Sequence, residues 1–183
     1  MLKWNKKFKY PETVREMIDG ARHYSIDNRK LPSVTTILQS TQSDEKKAVL
    51  ENWQKKVGYD NAEQIKNTAA NRGSIVHHII ESYLLDERHA DLSEIGQQAG
   101  KMAQIIIDQG LKGSMDEIWG TEVTLYYPDL YAGASDLAGI YEGRESIMDF
   151  KQSNKPKRKE WISDYFLQLA AYATAHNQVH GTS

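Results

Sequence analysis

The 183 residues of the chain are one domain's worth, and a hydrophobic content of 39% is enough to bury a core. With 23 Lys and Arg against 25 Asp and Glu the net charge is −2, so contact with a polyanion has to use a local patch and not the overall field. There is no cysteine, which excludes disulfides, thiolate catalysis and Cys-ligated zinc or iron–sulfur clusters, and which fits a reducing cytoplasm.

The N-terminus, Met1-Leu-Lys-Trp-Asn-Lys-Lys-Phe-Lys-Tyr10, is basic, but no apolar run follows and Glu12 and Glu16 come soon after, so it reads as no targeting signal. Residues 1–40 form an irregular or partly extended segment, in which Leu31-Pro-Ser-Val-Thr-Thr-Ile-Leu38 fits either a short strand or a helix starting after Pro32. Residues 41–114 read as helical. Thr41-x-x-Asp44 fits a capping box, Val49, Leu50 and Trp53 share a helical face, and Gly58 ends the first helix. A longer helix opens at Asp60-x-x-Glu63 and runs through Ile65, Ala69, Ile75, Val76, Ile79, Ile80 and Tyr83, with Gly73 marking a break or a close approach. A third spans 92–111 and is closed by Gly110 and Gly113. Nowhere does an apolar stretch near the roughly 20 residues of a membrane helix.

Residues 115–151 read as a β-meander. Ile118–Tyr127 is rich in β-formers and stops at Pro128-Asp129, and Tyr131–Tyr141 and Glu145–Lys151 are two more strands around Glu142-Gly143. The last helix lies within 155–177, from about Lys159, with Trp161, Phe166, Leu169, Ala170 and Ala173 as its buried side. The order predicts one α/β domain over 1–183, its central, mainly antiparallel (mixed) sheet flanked by helices.

The chemistry sits in the second half. If Glu142-Gly143 is a two-residue turn, Tyr141 faces Arg144, paired positions sum to 285, and Asp136 falls opposite Asp149. Like charges directly opposite on a sheet are destabilising, so a cation with oxygen ligands is expected between them. Lys151 projects onto the same face, two residues past Asp149. Metal plus ammonium beside paired carboxylates is an arrangement for cleaving phosphodiesters. Asp44/Lys46 and Glu45/Lys47 share the acid-x-Lys spacing on a solvated helix, so strand context and the facing Asp136 carry the reading, not the spacing. His77 and Glu81 lie at i, i+4 on one helical face. Lys155, Lys157, Arg158 and Lys159 follow the site directly, where nucleic-acid phosphates need neutralising, with the Lys3, Lys6, Lys7 and Lys9 arm as the other basic cluster. On the last helix Tyr165, Gln168 and Tyr172 recur at helical spacing, Gln168 being a polar residue on a buried stripe.

The combination Arg72-Gly-x-x-x-His77, Glu122, Gly133-x-x-Asp136, Asp149-Phe-Lys151 and Tyr165-x-x-Gln168-x-x-x-Tyr172 resembles RecB-like nucleases of the PD-(D/E)XK superfamily, and within it the phage and mitochondrial genome maintenance exonuclease group. Val34-Thr-Thr-Ile-Leu38 and Trp53 are similar to that group's N-terminal pattern. The resemblance covers roughly residues 31–175 and implies a restriction-endonuclease-like core and a metal-dependent DNA exonuclease acting on single-stranded DNA or DNA ends. It implies that His77, Asp136, Asp149 and the backbone carbonyl of Phe150 hold Mg²⁺ or Mn²⁺, that Lys151 is the catalytic lysine, and that Glu122 and Gln168 are accessory positions. Arg72, Ser153, Lys155, Lys157, Arg158, Lys159, Tyr165 and Tyr172 are then the expected DNA contacts. The iron–sulfur cluster of some RecB-like relatives is impossible without cysteine. A DNA-binding recombination or packaging module without catalysis and a structure-specific endonuclease are the competing readings. The phage members set the expectation of a phage-encoded protein in a bacterial host's cytoplasm.

Overall fold

Turn chemistry organises much of the chain. A computed structural model describes residues 2–183; Met1, the first residue of the expected N-terminal segment, lies outside the described residues. Strands β1 (Val14–Ile18), β2 (Ala21–Ile26) and β3 (Arg29–Pro32) form an antiparallel meander, more regular than the irregular or partly extended segment that the sequence leads one to expect. Its turns are Asp19-Gly20 and Asp27-Asn28, all four residues with positive φ, the backbone that a two-residue hairpin requires. Helix α1 (Val34–Ser40) follows at once, so the Pro32 region is a strand end and then a helix. Helices α2 (Asp44–Val57), α3 (Tyr59–Leu84) and α4 (Glu94–Ile106) come next. Strands β4 (Met115–Tyr127), β5 (Tyr131–Tyr141) and β6 (Arg144–Met148) make a second antiparallel sheet, and α5 (Ser163–His180) closes the chain. The fold is mixed α/β with two three-stranded antiparallel sheets, consistent with a restriction-endonuclease-like core. No helix among the described residues is long and apolar enough to cross a membrane.

The residues group into two compact units, Met1–Ser40 with Leu111–Ser183, and Thr41–Gly110. In the first, α5 packs on the β4–β5–β6 sheet through a core of Val34, Trp119, Val123, Leu125, Ala138, Tyr172 and Ala175. The meander meets the end of the β4–β5 hairpin through Tyr24, Ile26, Leu31 and Ala132. The buried stripe of α5 is Gln168, Tyr172, Ala175 and His176, whereas Trp161 and Phe166 are exposed. The expected buried side through Trp161 and Phe166 is therefore wrong, whereas the buried stripe bearing Gln168 and Tyr172 is found. Two polar residues hold the inner face because each finds hydrogen bonds there, and Trp161 belongs to a 3₁₀ turn (Lys159–Trp161) before the helix. The third strand also stops at Met148, short of the expected Lys151.

Register shifts in β4 lie between Met115 and Glu117 and between Ile118 and Gly120. Opposite them, a Cβ on Gly139 would collide with the Glu117 carbonyl oxygen and stand 3.2 Å from Ile118 Cα. Backbone cannot give way as a side chain can, so Gly139→Ala is expected to cost about 2 kcal/mol or more, read as a lower melting temperature.

In the second unit, Ser43 and not Thr41 caps α2, its hydroxyl accepting from Lys46 N at 3.4 Å. Val49, Leu50 and Trp53 stay exposed, and α2 buries no residue. Helix α3 runs unbroken through Gly73. Its Val76, Ile80 and Leu84 are buried, as are Ala99 and Ala103 of α4, which is capped by Ser93 and ends in a π turn (Ile107–Leu111) containing Gly110.

The N-terminal arm is tied to the first unit. Ile118 N donates to Lys3 O and Asn5 N to Ile118 O, both at 2.8 Å, a parallel bridge to β4. Hydrogen bonds from Lys3, Trp119 and Asn5 hold the Glu117 carboxyl down at about 2. Phe8 and Tyr10 pack around His176 and His180, and His176 bonds to the Tyr10 hydroxyl (3.1 Å) and Thr182 Oγ1 (2.8 Å). Burial first, then His180 and Lys7 against an opposing pull from Glu145, lowers the His176 pKa to about 4. An unfolded chain takes up this proton near pH 6.5 and the folded one only near 4, so the stability is present above 6.5 and is lost as pH falls towards 4. We expect the stability to fall across that window by up to about 1.4 kcal/mol per pH unit, read as a falling melting temperature, and the fall to flatten in His176→Phe. An unchanged slope in that variant would assign the acid sensitivity to other groups.

Candidate active site

The β5–β6 hairpin closes on Glu142-Gly143 with both φ angles positive, and its pairs run from Tyr141↔Arg144 to Leu137↔Met148, each summing to 285. The ladder ends there, so Asp149 sits just past the strand and not in a paired position opposite Asp136. The segment still hugs β5. Ser135 Oγ donates to Met148 O at 2.8 Å, and Phe150 N donates to Asp136 Oδ2. The Asp149 side chain is 7% exposed and is held from two sides, Gln168 Nε2 donating to Oδ1 at 3.1 Å and Lys151 Nζ pairing with Oδ2. Lys151 thus lies beside Asp149, although both lie past the end of β6, so strand period does not account for it.

The second carboxylate beside Asp136 is Glu122. In the β4–β5 ladder Thr121↔Leu137 and Val123↔Ser135 both sum to 258, which brackets Glu122 opposite Asp136. Glu122 takes φ 49, an uncommon backbone for a bulky residue inside a strand. Carboxylate oxygens of Glu122 and Asp136 lie within 4.8 Å of one another, Glu122 exposed and Asp136 buried. Oxygens of one coordination shell lie up to about twice a 2.0–2.6 Å bond apart, so this spacing fits a hard divalent cation. Residue counting about Glu142-Gly143 finds the first hairpin. The same counting about Tyr127 and Tyr131 would have found this pair.

Gln168 and Tyr172 supply the backing. Gln168 Nε2 also reaches the Tyr172 hydroxyl at 3.1 Å, and Tyr172 is 3% exposed. Burial, and to a lesser degree the nearby Asp149 and Asp136, push the Tyr172 pKa up. Gly133 makes room for it: a Cβ there would stand 2.7 Å from the Tyr172 hydroxyl oxygen. Tyr172 is thus a buried support, away from the surface at which a strand would be met.

The cationic run is exposed. Lys157 Nζ donates to the Tyr165 hydroxyl at 2.6 Å, Arg158 lies over the Trp161 ring, and Ser153 Oγ donates to Lys155 O at 2.8 Å. Arg72 and His77 stand on α3 in the second unit, Arg72 buried and His77 half-buried, one turn before Glu81.

Proteins named Mitochondrial genome maintenance exonuclease 1 are similar to this chain. That of Xenopus tropicalis is 31% identical over 158 residues, 82% of this chain and 44% of the relative. The chain is similar to exonucleases. The Mus musculus protein is 28% identical over 160 residues, 83% of the chain and 46% of the relative, and the Homo sapiens protein 28% over 155 residues, 80% and 44%. The chain thus spans less than half the length of these curated relatives. No protein-family model matches it.

Proposed function

We propose that the protein is a metal-dependent DNA exonuclease of the PD-(D/E)XK type, hydrolysing phosphodiester bonds of single-stranded DNA or at DNA ends. The observation that carries this reading is the Glu122–Asp136 carboxylate pair with the Asp149–Lys151 ion pair beside it. The names of the similar proteins support it. Asp136, Asp149, the Phe150 carbonyl and His77 are the groups that would hold Mg²⁺ or Mn²⁺, with Glu122 as a further acidic position. Such a cation, when bound, polarises the phosphoryl oxygen and acidifies the attacking water. The chain's own groups do the rest. Lys151 places a positive charge where negative charge develops on the phosphate oxygens. Gln168 fixes the orientation of Asp149, and Tyr172 fixes Gln168. Lys155, Lys157, Arg158 and Lys159 neutralise backbone phosphates, and Arg72, Ser153 and Tyr165 complete the expected contacts.

End-labelled single- and double-stranded DNA, linear and circular, incubated with Mg²⁺, Mn²⁺ or EDTA tests this. Linear strands should shorten with either metal, circles should resist, and EDTA should stop the reaction. No cleavage with either metal overturns the reading, and circles cut as fast as linear strands assign an endonuclease. Within it, His77→Ala should weaken Mn²⁺ affinity far more than His78→Ala, since the His78 ring is engaged with His89 at 4.5 Å. A Mn²⁺ titration giving equal effects removes His77 from the ligand set.

A further inference from the structure

Beside Lys151 the loop 151–157 and the start of α5 enclose an open cavity of about 480 Å³, within the range of ~300–1,000 Å³ typical of small-molecule sites. Its lining combines apolar and aromatic residues, Pro156, Ile162 and Tyr165, with three lysines, Lys151, Lys155 and Lys157. None of the lining residues is an Asp or Glu. The ammonium nitrogens of Lys157 and Lys151 stand 5.0 and 5.5 Å from the centre of the Tyr165 ring. A cation over a part-exposed ring is a weak contact, weaker than a base stacked on the same ring, so an incoming base with its phosphate can replace it. A bare phosphate would leave Tyr165, Pro156 and Ile162 unused, and an apolar ligand would make no use of the lysines, of which Lys151 already pairs with Asp149. A flat ring joined to an anion uses both kinds of residue.

We propose that this cavity is a subsite for one nucleotide unit, its base against Tyr165 and its phosphate among Lys151, Lys155 and Lys157. The ligand is either a unit of the bound strand or a free nucleoside monophosphate. Its position next to the cleaved bond rests on the nuclease reading; the binding itself does not.

Titration calorimetry on the full chain in EDTA tests the subsite, with dAMP, deoxyadenosine, inorganic phosphate and a short single-stranded oligonucleotide as probes. We expect dAMP to bind at least tenfold more tightly than deoxyadenosine or phosphate. Tyr165→Leu should weaken dAMP about tenfold or more while phosphate is little changed, and Tyr165→Phe, which keeps the ring, should restore it. Lys155→Ala with Lys157→Ala should weaken dAMP and spare deoxyadenosine. Circular dichroism checks that each variant is folded. Competition between dAMP and the oligonucleotide shows that both use the cavity; loss of oligonucleotide affinity in Tyr165→Leu without dAMP binding assigns it to a unit of the strand alone. If dAMP binds no better than phosphate and folded Tyr165→Leu holds the oligonucleotide as wild type does, the subsite is overturned, even where wild type cleaves DNA. Tight dAMP binding in a chain that cleaves no DNA with any metal keeps the subsite and removes the nuclease.

Discussion

Lys151→Gln is expected to slow DNA cleavage by about 10²–10³-fold while leaving the fold intact. The ammonium of Lys151 is paired with Asp149, and its charge is what an amide cannot supply to the phosphate oxygens as they gain negative charge. Glutamine can still donate a hydrogen bond to the carboxylate, so the 7%-exposed Asp149 side chain is not left unpartnered and the melting temperature should change little. Asp149→Asn should lose activity at least as completely. Single-turnover rates with a saturating oligonucleotide separate this from weaker binding. Near-normal turnover in either folded variant would remove the Asp149–Lys151 pair from the catalytic assignment.

The second large effect concerns metal and stability. Two carboxylates within 4.8 Å repel each other, and a cation that binds only the folded chain both relieves the repulsion and stabilises by mass action. At a hundredfold excess of Mn²⁺ over its dissociation constant the gain is about 2.7 kcal/mol, a rise of about 5–10 °C in melting temperature for a chain of this size. Asp136→Asn should reverse the pattern, melting above wild type in EDTA and responding little to Mn²⁺. Its amide oxygen can still accept from Phe150 N, so the local backbone tie is kept. Wild type melting identically with Mn²⁺ and EDTA, or an Asn variant keeping the full shift, would break the link between the carboxylate pair and metal.

Much of the site's frame was legible because turns carry arithmetic. Glu142-Gly143 set the 285 register, and the pairing follows it residue by residue to Met148. The extrapolation one step further misses because β6 ends there, Ser135 and Asp136 taking bonds from and to the departing chain in place of a ladder. Glu122 entered by resemblance alone, although the same arithmetic applied to the neighbouring hairpin places it opposite Asp136. The partly extended character of residues 1–40 was legible but the three-stranded pairing of β1–β3 was not, since its strands are short and polar, with only Tyr24, Ile26 and Leu31 buried. Its Asp19-Gly20 signal was nonetheless present. Apolar periodicity alone put Trp161 and Phe166 inside α5, whereas the stripe bearing Gln168 is the inner one, because Gln168 and His176 have partners there. Inward-facing polar groups are where hydrophobic patterning fails and where function concentrates.

The N-terminal arm has a consequence for handling the protein. Residues 3–5 pair with Ile118, and further on Thr13 Oγ1 meets Thr124 Oγ1 at 3.1 Å, so the arm tracks the side of β4 that faces away from β5. In the order β4–β5–β6 that side is a sheet edge, and an uncovered edge is a template on which a second chain can add a strand. A chain shortened to begin at Pro11 would open this edge around Ile118, and self-association would then compete with folding in any expression strategy that trims the arm.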